Sequence, residues 1–160
     1  MAAIADTSSI ILLAKIGRLA LLRDLYEQVH VPPGVVVELR AKPDAASQEV
    51  ERLLGSPGCV RAPQNTLLVQ ALSADLGIGE AEAIALAAEI PDTLLIMDDG
   101  EGRRVARGVG LRVTGLLGIL IEAKARGLIS AVTPLLDQLI AEGFWVSEAM
   151  RRIVLGAVGE

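Results

Sequence analysis

The sequence has a single cysteine, Cys59, and a single histidine, His30. One cysteine cannot form an internal disulfide bond, and its isolation is typical of a protein in a reducing compartment. Zinc sites are built from several nitrogen and sulfur ligands. We therefore expect neither a zinc site nor a nucleophilic triad built on His30.

Aromatic residues make up only 2% of the 160 residues, whereas 52% of the chain is hydrophobic. The core must therefore consist of Ala, Val, Ile and Leu, and the chain is long enough to bury such a core as one domain, residues 1–160. No uncharged stretch approaches the ~20 residues that a membrane helix needs. The apolar run before Asp6 is too short for a signal peptide. These absences predict a cytoplasmic protein.

Positive charge is scarce, since the formal net charge is −5, and this argues against non-specific binding of nucleic acid. The basic residues are unevenly distributed, however. Twelve of the fifteen are arginine, which grips phosphate bidentately. Four arginines fall within ten residues, namely Arg103, Arg104, Arg107 and Arg112. The cluster indicates either a phosphate-binding surface or a solvated helix face.

Short apolar runs alternate with helical patterns along the chain. Two of these runs, at residues 2–5 and 94–97, are followed directly by an acid, Asp6 and Asp98 respectively. Short apolar runs of this kind are typical of buried parallel strands. Further strands are predicted at 29–31 and 111–113, with a candidate edge strand at 144–146. Helices are predicted from near Ile10, after Pro33, and over residues 18–25, 47–54, 80–89, 101–108, 115–126, 133–142 and 148–155. This order predicts a single-domain α/β/α sandwich with a parallel, Rossmann-like sheet.

Acidic residues occupy positions where apolar ones are expected. Asp6 ends the first strand, and Asp98 with Asp99 ends the run at 94–97. Glu38 lies within a Val/Leu segment, and Glu82 lies on the Ala/Ile/Leu face of a helix. Acids that end strands of one parallel sheet converge at its carboxyl edge, and carboxylates are rarely buried unless paired or bound to metal. With no cationic partner built into these segments, the acids predict a site for a hard cation such as Mg²⁺ or Mn²⁺.

Each acid also has a structural interpretation. Asp6 could cap the first helix, although Thr7 or Ser8 could do so equally well and leave its carboxylate free. Asp98 and Asp99 could form a turn with one cap, and Glu38 could reach solvent. Glu80 has the position of a first-turn acid favoured by the helix dipole. Only the joint occurrence of the acids, in the order strand, helix, helix, strand, favours the metal site.

Several segments together resemble the PIN-domain family, in particular its VapC-toxin-like ribonucleases. The matching segments are DTSSIILLAKIG at 6–17, VPPGVVVEL at 31–39, GEAEAIALA at 79–87, DDGEGRRVA at 98–106, GLRVTG at 110–115 and GF at 143–144. The resemblance spans nearly the whole chain. It implies a PIN fold, an Mg²⁺ or Mn²⁺ site and cleavage of single-stranded RNA.

The family's acids correspond here to Asp6, Glu38 and the pair Asp98 and Asp99. The third acid corresponds to Glu82, with Glu80 in the same motif left open. The chain departs from the family in carrying Glu where many members carry Asp, and in its acidic net charge.

We therefore predict a metal-dependent endoribonuclease, plausibly the toxin of a toxin–antitoxin pair. Its catalytic acids would be Asp6, Glu38, Glu82 and Asp98, and its metal ligands would be Asp6, Asp98, Asp99 and Glu82. Auxiliary roles fall to Ser8, Glu80 and Arg103. The predicted partners are single-stranded RNA, an antitoxin protein and a second copy of the chain, the last because the segment 10–25 is expected to expose aliphatic surface.

Two alternatives remain open at this point. A PIN-fold module could bind nucleic acid through the same acids without turnover. A haloacid-dehalogenase-like phosphatase also begins with an acid at the end of a strand, but it needs a second Asp two residues later, where this chain has Ser8.

Overall fold

A four-stranded parallel sheet forms the centre of the computed structural model, which describes residues 1–42 and 47–160. The strands are β1 (Ala2–Ala5), β2 (Gln28–His30), β3 (Thr93–Ile96) and β4 (Arg112–Thr114), in the order β2-β1-β3-β4. The predicted parallel α/β sheet is thereby confirmed.

The helices enclose the sheet on both faces. They are α1 (Thr7–Lys15), α2 (Leu21–Leu25), α3 (Pro33–Arg40), α4 (Ser47–Leu54), α5 (Thr66–Leu72), α6 (Ile78–Glu89), α7 (Gly100–Gly108), α8 (Leu116–Ala125), α9 (Thr133–Ala141) and α10 (Glu148–Ala157). Alternate strand residues enter different cores, since side chains of a strand point to opposite faces. Ala3 and Ala5 pack with α1 to α4 and α8 to α10, whereas Ile4 and Leu95 pack with α6 and α7. The molecule is therefore an α/β/α sandwich.

Aliphatic packing fills both cores, and the largest fully buried side chains are Ile, Leu and Met. The predicted edge strand at 144–146 is wrong. That segment is irregular between α9 and α10, where Phe144 packs partly on the core and Trp145 is 82% exposed. A pattern of aromatic and β-branched residues favours a strand, but in residues 1–42 and 47–160 no strand pairs with this segment.

Several predicted boundaries shift. Helix α1 begins at Thr7 rather than near Ile10, and α8 begins at Leu116, with Gly115 at its cap position. Helix α4 occupies the predicted range 47–54 and buries Val50, Leu53 and Leu54. Helix α5 was not predicted. The polar, Pro-containing segment 42–47 has the composition of a loop, and its residues 43–46 lie outside the described part of the chain.

No helix among the described residues combines the length and apolar character required to cross a bilayer.

The Glu160 side chain supplies the N-terminal cap of α9. Val132, the residue at the cap position, offers no side-chain hydrogen bond. The Glu160 carboxylate instead accepts hydrogen bonds from the Val132 N–H at 2.7 Å, the Thr133 N–H at 2.9 Å and the Lys124 ammonium at 2.7 Å. These bonds lower the pKa of Glu160 from 4.5 to about 2, with the Lys124 hydrogen bond the largest cause. The contact joins α8, α9 and the segment that follows α10.

We predict that Glu160→Gln lowers the melting temperature at neutral pH. Because the folded-state pKa lies below the unfolded value, the stabilisation is present above about pH 4.5 and is lost as the pH falls toward 2. Melting curves of parent and variant from pH 7 to 2.5 should therefore converge at low pH. Glu27→Gln, which changes an exposed carboxylate, is the control. A melting difference that stays constant over this range would contradict the assignment.

Candidate metal and nucleic-acid site

The candidate site lies where the strand order reverses direction. The chain leaves β1 toward β2 on one side and later returns to β3 on the other side of β1. Ala5 of β1 pairs with Ile96 of β3, and the Asp6 N–H donates to the Ile96 carbonyl at 3.1 Å. Asp6 and Asp98 therefore follow neighbouring strands at the carboxyl edge of the sheet, where open α/β sheets bind their ligands.

Asp6 is a buried carboxylate, with 5% of the residue exposed. Its Oδ1 accepts a hydrogen bond from the Ser9 N–H at 2.9 Å, so Asp6 itself caps α1. The suggestion that Thr7 or Ser8 takes over this cap was wrong, because α1 starts directly after Asp6. Burial raises the pKa of Asp6 to about 6, and the charges of Asp98 and Glu80 add to this effect against the opposing Ser9 hydrogen bonds.

Glu38 reaches the site from α3 and is held by Thr7. The Thr7 hydroxyl donates to Glu38 Oε2 at 2.5 Å, which links the first turn of α1 to α3. This role of Thr7 was not predicted from the sequence, where Thr7 was a candidate cap. Its position directly after a strand-end acid is the signal in the sequence that points to a second role. Ser8, the predicted auxiliary residue beside it, is exposed.

The two glutamates of α6 have different surroundings. Burial raises the pKa of Glu80, and the charges of Asp99 and Glu38 raise it further, opposed by a hydrogen bond from the Gly77 backbone. Glu80 also contributes to the raised pKa of Asp6. Glu82, in contrast, directs its carboxylate to the first turn of α3, where Oε2 accepts from the Gly34 N–H at 2.7 Å. Glu80 is therefore the glutamate of α6 whose charge acts on the acids at the sheet edge.

Asp98 is half-buried beside a glycine. Its two carboxylate oxygens lie 3.1 and 3.3 Å from the Leu116 N, which donates to them. A Cβ at Gly115 would overlap both this carboxylate and the Arg103 guanidinium, so any other residue there requires these two side chains to shift. Burial raises the pKa of Asp98, while the Leu116 hydrogen bond and the Arg103 charge lower it. Asp99 has another role as well, because its Oδ2 caps α7 through the Gly102 N–H at 2.7 Å.

Arg103 corrects the expectation that no cation accompanies the acids. It extends from α7, and its Nη1 donates to the Met97 carbonyl at 3.0 Å beside Asp98. Two other members of the arginine cluster are paired, Arg104 with Glu101 and Arg112 with Asp92. The cluster is thus divided between a site residue, two surface ion pairs and an exposed Arg107.

The donor set at this edge fits a hard divalent cation, since it consists of carboxylate oxygens. The Ser9 N–H occupies Oδ1 of Asp6, and the Thr7 hydroxyl occupies Oε2 of Glu38, whose Oε1 faces Gly79. The room at Gly115 accommodates the third carboxylate, that of Asp98. Over residues 1–42 and 47–160, however, no three His, Cys, Asp or Glu side chains already stand close enough to hold one ion together.

Residues 2–160 match a family model described as PIN domain. The chain belongs to the PIN-domain family. PIN domains are generally nucleases or nucleic-acid-binding modules, and the nucleases typically use divalent metal ions. Because the match covers residues 2–160, the PIN assignment takes the place of the haloacid-dehalogenase-like alternative. Searches of curated proteins and of solved structures found no match.

We predict that Asp6→Asn stabilises the PIN domain when metal is removed with EDTA. The folded-state pKa of Asp6, about 6, exceeds its ordinary value of 3.8, so the stability associated with this group is present below pH 3.8 and is lost as the pH rises through about 6. Asparagine keeps the cap without the buried charge. At pH 7.5 the free energy of unfolding should rise by about 1–2 kcal/mol.

Chemical denaturation at pH 7.5 and at about pH 3 measures this effect. The gain should be largest at pH 7.5 and nearly disappear at about pH 3, where Asp6 is largely protonated in both the folded and the unfolded state. A variant that is less stable than the parent at pH 7.5 would show that the carboxylate of Asp6 is not desolvated and repelled in the metal-free protein.

Proposed function

We propose that this PIN domain is a divalent-metal-dependent endoribonuclease that cleaves single-stranded RNA. The observation that carries the proposal is the buried Asp6 carboxylate, whose ionisation is opposed by Asp98 and Glu80 at the switch point of the sheet. An ionised group in this position costs free energy unless a cation neutralises it. A cation between these acids would relieve that cost and attract a phosphate.

We assign metal binding to Asp6, Asp98 and Glu80, with Glu38 and Asp99 at the edge of the same group. Glu80 takes the place predicted for Glu82, because the neighbouring charges that raise the pKa of Asp6 include Glu80. When bound, Mg²⁺ or Mn²⁺ would lower the pKa of a coordinated water and stabilise charge on the phosphoryl oxygens. The carboxylates hold their orientation through the hydrogen bonds from Ser9, Leu116 and Thr7.

Arg103 is suited to bind a phosphate next to the acids. Its Nη1 is occupied by the Met97 carbonyl, and a guanidinium carries five N–H donors, so others remain for the phosphate oxygens. It is the member of the arginine cluster that adjoins Asp98. We propose that Arg103 positions the scissile or a flanking phosphate. Ser8, which is exposed at the start of α1, would keep its auxiliary role of positioning a water or a ligand.

The first experiment is cleavage of a single-stranded RNA oligonucleotide with Mg²⁺ or Mn²⁺ and with EDTA. Asp6→Asn, Glu80→Gln and Asp98→Asn should each lower kcat/KM at least about a hundredfold, as expected when a group that stabilises transition-state charge is removed. Glu101→Gln is the matched control, because it neutralises an exposed acid on α7 that pairs with Arg104. Full cleavage in EDTA, or by Asp6→Asn, would refute the proposal.

A non-catalytic PIN module is the second candidate, and one observation favours it. The carboxylates of Asp6, Asp98 and Asp99 each already accept a backbone hydrogen bond, and no ready group of three ligands occurs in the described residues. Such a module would bind RNA in the presence of Mn²⁺ without consuming it. Catalytic amounts of protein that leave the RNA intact, while stoichiometric amounts retain it on a filter, would favour this candidate.

The toxin role, an antitoxin partner and a homodimer also belong to this proposal. The reason first considered for the dimer was wrong, because the segment 10–25 buries its Leu13, Leu21 and Leu22 in the core of the same chain. Large exposed apolar side chains lie elsewhere, among them Leu67 on α5, Val37 on α3, Trp145 just before α10 and Ile153 on α10. Light scattering at micromolar concentration tests the dimer, and Ile153→Glu should shift a dimer toward monomer.

A further inference from the structure

Helices α3 and α6 meet at a pair of glycines. Gly34 is the second residue of α3, and Gly79 is the second residue of α6. A Cβ on Gly34 would lie only 3.3 Å from the Gly79 Cα, closer than ordinary packing allows. The two helix starts therefore touch through their backbones, and each helix carries a site acid close to this contact: Glu38 on α3 and Glu80 on α6.

Glu82 caps α3 from the neighbouring helix. The first N–H groups of a helix have no partner inside it, and Pro32, at the cap position of α3, provides no side-chain hydrogen bond. Glu82 Oε2 accepts the Gly34 N–H at 2.7 Å and thereby satisfies one of these donors. A carboxylate at a helix N-terminus is also favoured by the helix dipole.

Glu38 makes the reciprocal contact. While its Oε2 accepts the Thr7 hydroxyl, its Oε1 lies against Gly79, at a position only 2.6 Å from where a Cβ would stand. Each helix thus places a glutamate on the starting glycine of the other. Because Glu38 follows Gly34 by one helical turn, a shift of the first turn of α3 moves Glu38 with it.

We propose that Glu82 is a positioning residue, which fixes α3 through Gly34 and so sets the place of Glu38 in the site. This inference rests on the proposed function, because it concerns how the acids of that site are held. Glu82 is then not a metal ligand, and its charge is not required at the metal. What is required is an acceptor oxygen facing the Gly34 N–H.

The test compares Glu82→Gln, Glu82→Ala and Glu80→Gln in the full chain. A glutamine retains a carbonyl acceptor for the Gly34 N–H, whereas an alanine does not. Calorimetric Mn²⁺ titration should give similar affinities for the parent and Glu82→Gln. Glu82→Ala should bind Mn²⁺ about tenfold more weakly or worse, which is typical when a residue that orients a ligand is lost. Glu80→Gln should lose still more affinity, as a ligand would.

If Glu82→Gln loses as much Mn²⁺ affinity as Glu80→Gln, Glu82 is a ligand and the inference is overturned. Gly34→Ala provides an independent route to the same contact, since its Cβ would lie 2.9 Å from Glu82 Oε2. It should weaken Mn²⁺ binding as Glu82→Ala does. Gly100→Ala, at a helix start where a Cβ meets nothing within 4 Å, is the control and should bind like the parent.

A metal-independent NMR readout separates this inference from the proposed function. In EDTA, the Gly34 amide should exchange slowly in the parent and in Glu82→Gln but fast in Glu82→Ala, and the Glu38 carboxyl carbon should shift only in Glu82→Ala. The Leu68 amide, capped by Asn65 elsewhere, is the internal reference. A parent that neither binds Mn²⁺ nor cleaves RNA refutes the proposed function alone. Unchanged Gly34 exchange in folded Glu82→Ala overturns the positioning role.

Discussion

The burial of the Asp6 carboxylate is the constraint on which the site depends. The pairing of β1 with β3 places Asp6 beside the segment that carries Asp98. Because α1 begins directly after Asp6, the carboxylate is buried at the junction of strand and helix. The Ser9 N–H compensates part of the desolvation cost, yet the pKa of Asp6 still rises to about 6. Near neutral pH the fold therefore maintains a charge that burial and the neighbouring acids both oppose. A hard cation is the partner that best removes that opposition.

Glycines leave room for several of these carboxylates to pack against neighbouring backbone. Gly34 and Gly79 let two helix starts touch, with a glutamate on each, and Gly115 leaves the space that Asp98 and Arg103 occupy. A Cβ at Gly34, Gly79 or Gly115 would force the carboxylate of Glu82, Glu38 or Asp98, respectively, to shift. The geometry of the acids is thus determined by backbone contacts between elements far apart in sequence, which makes the site sensitive to one added methyl group.

The parts of the molecule that could be predicted from the sequence are those governed by local patterns. Apolar runs ending in acids predicted β1 and β3, and their parallel pairing placed Asp6 and Asp98 at one edge. The choice between Glu80 and Glu82 could not be made in this way. Because Glu80 and Glu82 are two residues apart on a helix, their side chains point in different directions. The contact between α3 and α6 at Gly34 determines that Glu82 is the one that caps α3. The strand predicted at 144–146 was wrong for a similar reason, because a strand-like composition does not show whether a partner strand is available.

The positive charge of the arginine cluster at residues 103–112 is partly neutralised by neighbouring acids. Arg104 and Arg112 are engaged by Glu101 and Asp92 at the surface, and Arg103 lies among the acids of the site. Within the cluster at residues 103–112, two of the four arginines are therefore engaged at the surface, while Arg107 is exposed. Salt-dependent affinity grows with the number of phosphates neutralised. For the proposed ribonuclease, a cation held by the acids would add positive charge next to Arg103, so that metal binding and RNA binding would be coupled at one edge of the sheet.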